Sequence, residues 1–353
     1  MSFRRWVAAP ALAATLMAQQ TSKQTSGYTV DVNGHRVDGT NYSSVETPAG
    51  SQRVETLRSI NGRMVPIQAE EDKVVRNDSQ GKVVERMIRK YDANGNPGPA
   101  TRVRIEETKN SDGSTTIQAV AYQTDINGNS QVAERSTTRI KKGSTTETST
   151  TVERGTLNGS LEPVERSMSV ERPSGSGAEV QSTTYRRDVS GNFTPFTQEV
   201  KQITKSGSEE TTDAARYEIG SDGKMALSSR AVDHLKTNSD GSQVVETDVY
   251  SKFSAGHTGD SGADQPRLQQ QIRTQRTPAA GGKVIETTSS RARLPNDPSR
   301  FGAYEQISQT TITSTDPAGR EVKKSDTVLG RRNTNGEVVT QEGRAENSVA
   351  TKK

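Results

Sequence analysis

The sequence predicts an all-β protein, an extended antiparallel meander of β-hairpins that forms a largely single-layer or coiled sheet. Three observations predict this fold. Beyond residue 50, turn-forming glycines recur at short and regular intervals, as at Gly62, Gly81, Gly95, Gly113 and Gly128. The segments between them are rich in Thr, Val, Glu, Arg and Gln, and the β-branched residues among these favour a pleated surface. Only 28% of the 353 residues are hydrophobic and 4% aromatic, which is too little to build a dry core.

The first residues have the layout of a secretory signal peptide. Arg4 and Arg5 precede an uncharged stretch, residues 6–18, and the chain becomes polar from Gln19 onward. We therefore expect residues 1–18 to be a signal peptide. The uncharged stretch is too short to span a bilayer as a helix, and no later segment qualifies as a transmembrane helix. The expected location is extracellular or at the cell surface, with the periplasm as an alternative.

The rest of the chain divides by composition into three parts. Residues 19–50 are predicted to be a flexible polar segment, residues 51–345 a β-hairpin repeat array, and residues 346–353 a C-terminal tail.

The repeat is visible in both its turns and its tyrosines. Many glycines follow Asp or Asn, as at Asp112-Gly113 and Asp240-Gly241, and such pairs are typical of hairpin turns. Five tyrosines recur with a period of about 32 residues, within the range typical of repeat arrays. They are Tyr91, Tyr122, Tyr185, Tyr217 and Tyr250. The long interval between the second and the third is one copy that lacks its tyrosine. Each period corresponds to one hairpin, and about eight hairpins fit between residues 51 and 345.

The alternation of side chains indicates that both faces of the sheet meet water. In the predicted strand 83–91, Glu85 and Arg89 lie on one face while Arg86 and Lys90 lie on the other. A two-layer sandwich would bury these charges. An outer-membrane barrel requires an apolar band and aromatic girdles, for which eight Tyr and five Phe are too few. What remains is an extended antiparallel meander, twisted or coiled, and the sequence does not decide whether it closes. Its two end strands would offer unpaired backbone unless tails cover them.

The composition argues against most kinds of chemistry. The chain has no cysteine, so it has neither disulfides nor a thiolate metal site. Its 47 basic residues alternate with 43 acidic ones, so we expect no nucleic-acid partner. In the loop around residue 260, His257, Asp260 and Asp264 are a weak candidate metal site, because one imidazole and two carboxylates lie close in sequence. We expect no cofactor.

The same loop contains the one motif with a catalytic resemblance. Gly259-Asp260-Ser261-Gly262 resembles the nucleophile tetrapeptide of the chymotrypsin-like serine proteases. That family continues with Gly-Pro, whereas Ala263-Asp264 follows here, and neither His35 nor His234 lies in the family's histidine motif. We therefore predict no catalytic residues and no enzymatic activity.

These observations lead to a functional hypothesis with two alternatives. The first is an exported structural or surface protein, a matrix component, spacer or filament subunit that self-associates through its sheet edges. The second is an extracellular adhesin module that binds glycans or surfaces, with cell-wall or extracellular polysaccharide as its partner. The third and weakest is an outer-membrane or periplasmic β-barrel.

Overall fold

The computed structural model describes residues 19–30, 36–46, 51–60, 63–124, 129–156, 158–220, 222–251, 266–294, 297–315, 321–332 and 338–352. Within these ranges the protein consists of 21 β-strands joined by turns, and no helix occurs in them. The prediction of an all-β antiparallel meander is confirmed.

Strand lengths are typically 9 to 16 residues, and one strand, β18, has only 5. The first eleven are β1 Gln19–Val30, β2 Arg36–Glu46, β3 Gln52–Ile60, β4 Arg63–Asp78, β5 Gly81–Tyr91, β6 Pro97–Lys109, β7 Thr115–Thr124, β8 Ser130–Lys142, β9 Thr146–Gly155, β10 Leu161–Ser174 and β11 Gly177–Arg187. The others are β12 Phe193–Ser206, β13 Glu209–Ile219, β14 Met225–Thr237, β15 Gln243–Ser251, β16 Arg267–Ala279, β17 Lys283–Leu294, β18 Asp297–Phe301, β19 Glu305–Thr315, β20 Glu321–Arg332 and β21 Val338–Lys352.

The turn chemistry explains why these segments become hairpins. Gly113 and Gly241 adopt positive φ values of 78° and 79°, which residues with a Cβ rarely reach. In both turns an aspartate carboxylate accepts the backbone N–H of a serine two residues later, Asp112 from Ser114 and Asp240 from Ser242. The two turns lie four repeat periods apart in the chain, so the same local chemistry recurs in step with the repeat.

The sheet closes on itself. Strand β1 pairs antiparallel with β2 and also with β21, in a register that joins Gln19 to Lys352 and Thr29 to Glu342. The other consecutive strands pair in turn. Strand β17 pairs directly with β19, and the short β18 between them in the chain bonds to the end of β17 outside the ring. The result is a ring of 20 strands. The two unpaired edges expected from the sequence are therefore absent from this ring, since its first and last strands bond to each other.

The ring has two distinct rims. Gln19 and Lys352 lie at one rim, which we call the terminal rim, together with two-residue turns such as 175–176 and 207–208. At the opposite rim, the loop rim, lie the ends of the strands with the longest connections in the chain: residues 252–266 join β15 to β16, and residues 295–304 join β17 to β19.

A β-bulge accompanies each of the ten hairpins that turn at the loop rim. Five of them lie beside the tyrosines that mark the repeat, for example at Ala121/Tyr122, Arg216/Tyr217 and Val249/Tyr250. At the terminal rim, only the β4–β5 and β19–β20 pairs are bulged. A bulge adds a residue to one strand and increases its bend and twist. Recurring bulges on one rim are a physical reason for the sheet to curve until it closes.

The sheet is a single layer without a dry core. Among the described residues, Val83 is the one buried hydrophobic residue, and Ser114 and Thr197 are the buried polar ones. Side-chain bonds between neighbouring strands take the place of a core. Thr138 and Thr150 place their hydroxyl oxygens 2.9 Å apart on β8 and β9. Such cross-strand pairs contribute about 0.2 to 1 kcal/mol each, so order rests on the backbone ladder and many small contributions.

The ends of the chain differ from the sequence-based expectation. The segment expected to be flexible, residues 19–50, contains β1 and β2, and β21 continues through the expected tail to Lys352. These strands are polar and carry no apolar alternation, but each is bonded along both sides. Composition could not reveal this pairing. The predicted signal peptide, residues 1–18, lies outside the described residues.

Candidate functional site

Cross-strand pairing assigns every described side chain to one of two faces, because directly opposed residues point to the same side. We call the side that carries Tyr122, Tyr185, Tyr217 and Tyr250 the tyrosine face. The opposite side, which carries Thr138, Thr150 and the Thr274–Thr288 pair, is the threonine face.

Arginines lie opposite tyrosines on the tyrosine face, close to the loop rim. Arg102 pairs with Tyr122 and Arg230 pairs with Tyr250, with the guanidinium carbons 5.8 and 5.6 Å from the ring centroids. Arg166 occupies the same position opposite Tyr185. Contacts of this length are cation–π interactions.

Most of these arginines are also bonded to a carboxylate. Arg102 donates to Glu85 at 2.7 Å, and Arg230 donates to both oxygens of Asp213 at 2.8 and 2.5 Å. The charges on this part of the face are therefore neutralised locally, and the guanidinium groups are fixed in position.

A polar row crosses five strands of the tyrosine face. Asp213, Val232, Asp248, Gln271 and Arg291 are successive cross-strand partners from β13 to β17. Gln271 donates to Asp248 at 2.7 Å and accepts from Arg291 Nε at 2.8 Å. Beside this row lies an open depression of about 270 Å³. Its lining residues are Val200, Gln202, Asp213, Ala215, Tyr217, Leu227 and Arg230.

The threonine face carries smaller side chains at mid-strand. Ala119, Ser136 and Val152 are directly opposed across β7, β8 and β9, and Ala231 opposes Val249 farther round the ring. Charges are present here too. The best bonded are Arg86 and Asp72, which share two hydrogen bonds of 2.7 Å.

The candidate site residues from the sequence, His257, Asp260 and Asp264, lie outside the described residues, as does the Gly259–Gly262 tetrapeptide. Within the described ranges, no group of three or more His, Asp or Glu side chains is placed to hold a metal ion. The expectation of no enzymatic activity stays a prediction.

The spacing of the tyrosines identifies them in the sequence, but the arginines that face them were not predicted. A signal was available, because Arg102, Arg166 and Arg230 are evenly spaced along the chain at twice the repeat period. The pairing itself depends on register, since a shift of one residue would move each arginine to the other face.

No protein-family model and no curated protein match this chain. Solved structures with a similar arrangement include three Pseudomonas aeruginosa proteins. The outer-membrane protein OpdK is 7% identical, with 95% of this chain and 98% of that one aligned at a TM-score of 0.47. For OpdQ the identity is 9%, the coverage 95% and 96%, and the TM-score 0.44. The siderophore receptor PirA of the same organism aligns over 96% of this chain and 82% of that one, with 8% identity and a TM-score of 0.37. At these TM-scores the similarity carries no conclusion about function on its own.

The hypothesis of a structural protein, a matrix component, spacer or filament subunit, is wrong. The physical reason lies in the ring, because β1 and β21 bond to each other and leave no sheet edge for strand addition. The expected polysaccharide partner finds no support in the described residues. No described helix is long and apolar enough to cross a membrane.

Proposed function

We propose that this chain forms a β-barrel pore in the bacterial outer membrane, with a polar lumen that admits water and small hydrophilic solutes. The observation that carries the proposal is the closed ring of 20 antiparallel strands. An even strand number lets the first and last strands meet antiparallel, and closure satisfies every backbone group of the ring without a core.

The size of the ring supports a water-filled interior. Twenty strands spaced by about 4.8 Å and tilted by about 40° give a circumference of roughly 125 Å and a backbone diameter of about 40 Å. Barrels of 16 to 18 strands already leave an aqueous channel. An interior of this width also explains the composition, because side chains that face the lumen remain in water.

The rims support an orientation. Gln19 and Lys352 lie at the rim with short turns, and the strands that residues 252–266 and 295–304 connect end at the other rim. Outer-membrane barrels have short turns on the periplasmic side and longer loops on the extracellular side. The terminal rim would therefore face the periplasm and the loop rim the exterior.

The two faces differ in the size and polarity of their side chains, and the proposal assigns one face to each environment. The tyrosine face carries the longer polar side chains, with Asp213 near the middle of β13 and Arg102 and Arg230 nearer the loop rim, and would line the lumen. The threonine face, with its small aliphatic and hydroxyl side chains, would face lipid. This face also carries charges, and an Arg or Lys on the lipid side at the bilayer midplane destabilises a barrel by about 2 to 4 kcal/mol. Membrane insertion is therefore the decisive test of the proposed pore. Arg86 reduces that cost by pairing with Asp72.

The experiment is reconstitution of the purified chain into planar bilayers. The proposal expects stepwise increases in conductance that last for the lifetime of the inserted barrel. A variant with Asn347→Pro and Ser348→Pro removes two adjacent N–H donors from β21, one toward each neighbouring strand, and should not conduct.

A chain that remains folded and monomeric in buffer, and that neither inserts nor conducts, would refute the pore. Circular dichroism of the same samples separates this result from unfolding. The proposal assigns no reaction and no cofactor to the chain.

A further inference from the structure

The connection between β17 and β19 folds against the tyrosine face. Within it, Phe301 lies with its ring centroid 5.5 Å from the guanidinium carbon of Arg291 and 5.0 Å from that of Arg293. Tyr304 lies closer, at 4.5 Å from Arg291. Arg291 and Arg293 are two residues apart on β17 and therefore share this face. The two aromatic rings therefore pack against the guanidinium groups of Arg291 and Arg293.

Arg291 is held on three sides. Its Nε donates to Gln271, and the rings of Phe301 and Tyr304 lie against its guanidinium group. Gln271 is fixed in turn by its own hydrogen bond to Asp248. A guanidinium group held in this way loses little conformational freedom when it binds a ligand.

The charge of Arg291 is not neutralised like that of Arg102 and Arg230. Arg102 and Arg230 lie on the same face with an aromatic ring, but each is bonded to a carboxylate. The hydrogen-bond partner of Arg291 is a neutral amide. Among the residues that the structure describes, none accepts a hydrogen bond from its two terminal nitrogens, Nη1 and Nη2.

We propose that Arg291 is the centre of an oxyanion-binding site at the loop rim, for a carboxylate or phosphate group. The two terminal nitrogens present parallel N–H donors that match two oxygens of such a group. Phe301 and Tyr304 keep the guanidinium plane in place, and Gln271 sets its direction. The site lies on the face assigned to the lumen, but binding does not require that the barrel conducts.

The test is a titration of the full chain with inorganic phosphate and, separately, with acetate, at constant ionic strength set by chloride. The Arg Nε–Hε region of a ¹⁵N–¹H spectrum reports each ordered guanidinium group. We expect a saturable shift of the Arg291 cross-peak with phosphate, acetate or both, and comparison of the two titrations distinguishes the source of the oxyanion.

Arg102→Gln is the matched control, because Arg102 also lies opposite an aromatic ring but is already bonded to Glu85. The control should retain the saturable shift, and Arg291→Gln should lose it. Combined Phe301→Ala and Tyr304→Ala should weaken binding about two- to fivefold, the equivalent of one exposed cation–π contact.

Equal, unsaturable movement of all arginine cross-peaks, or binding that persists in Arg291→Gln, would overturn the site. Since this titration is made in solution or detergent, it can succeed where the bilayer experiment fails, and the reverse.

Discussion

Closure of the ring can be tested directly because the chain contains no cysteine. Gln24 on β1 and Asn347 on β21 are cross-strand partners, so their Cα atoms lie about 4.5 to 5.5 Å apart. That separation is within the range of a disulfide. In an open ribbon of 20 strands the same residues would be roughly 90 Å apart. The variant with Gln24→Cys and Asn347→Cys should therefore form an intramolecular disulfide only if the ring is closed.

The expected effect on stability follows from the size of the closed loop. Nearly the whole chain lies between residues 24 and 347, and the loop-entropy relation gives an upper value of about 6 kcal/mol for a cross-link of this length. Part of this value is lost if the bond strains the strands. The oxidised variant should resist urea more than its reduced form, while the wild-type protein should not respond to reductant.

The assay is mobility on a non-reducing gel, followed by mass spectrometry of the cross-linked peptide. A control variant pairs Gln24→Cys with Glu342→Cys, whose register partner is Thr29. This offset corresponds to about 17 Å along the strand, so the control should remain reduced. Failure of the first variant to cross-link within one molecule, or cross-links only between molecules, would refute the closed ring and restore the free sheet edges.

Three further predictions concern turns and ion pairs. Gly177→Ala should destabilise the protein by more than about 3 kcal/mol in urea unfolding, because its Cβ would lie 1.7 Å from a backbone oxygen; Gly175→Ala in the same turn meets open space at φ 57° and should cost about 1 kcal/mol. Equal losses would contradict this reasoning. Asp112→Asn should lower stability above about pH 4, and the loss should shrink below that pH and vanish as the pH falls through about 2. Hydrogen bonds hold the pKa of Asp112 at about 2, below an unfolded value of about 3.9. A stability difference that persists in acid would show that the charge is not its cause. A double-mutant cycle of Arg86→Ala and Asp72→Ala should give a coupling near 1 kcal/mol, because the two side chains are only 28% and 14% exposed; a coupling near zero would mean that solvent screens the pair fully.

The low pKa of Asp112 has two sources, and only one of them can be predicted from the sequence. Its carboxylate accepts hydrogen bonds from the hydroxyl and the backbone N–H of Ser114, and then from Arg139 on β8. The turn pattern predicts the serine contacts because they are local. The arginine is 27 residues away, and its contribution depends on the pairing of β7 with β8.

In the candidate site, too, some features can be predicted from the sequence and others depend on the fold. Tyr122 and Tyr250 stand out in the sequence through their spacing, and the structure places each beside a bulge and opposite an arginine. The contact of Arg291 with Phe301 and Tyr304 has no periodic signal, because it depends on how one long connection folds back on the sheet.

The sequence by itself determined the hairpins, their period and the absence of a core. Those features follow from local backbone preferences, from glycine and aspartate in the turns and from charges on both faces of each strand. Only the tertiary structure decided that the two end strands meet. Closure depends on the total curvature of the sheet, which is the sum of the twist and the bulges of 20 strands. Each hairpin contributes only a small part of that total. No single segment of the chain encodes that total, and for this reason composition and spacing predicted the meander but did not decide that it closes into a ring.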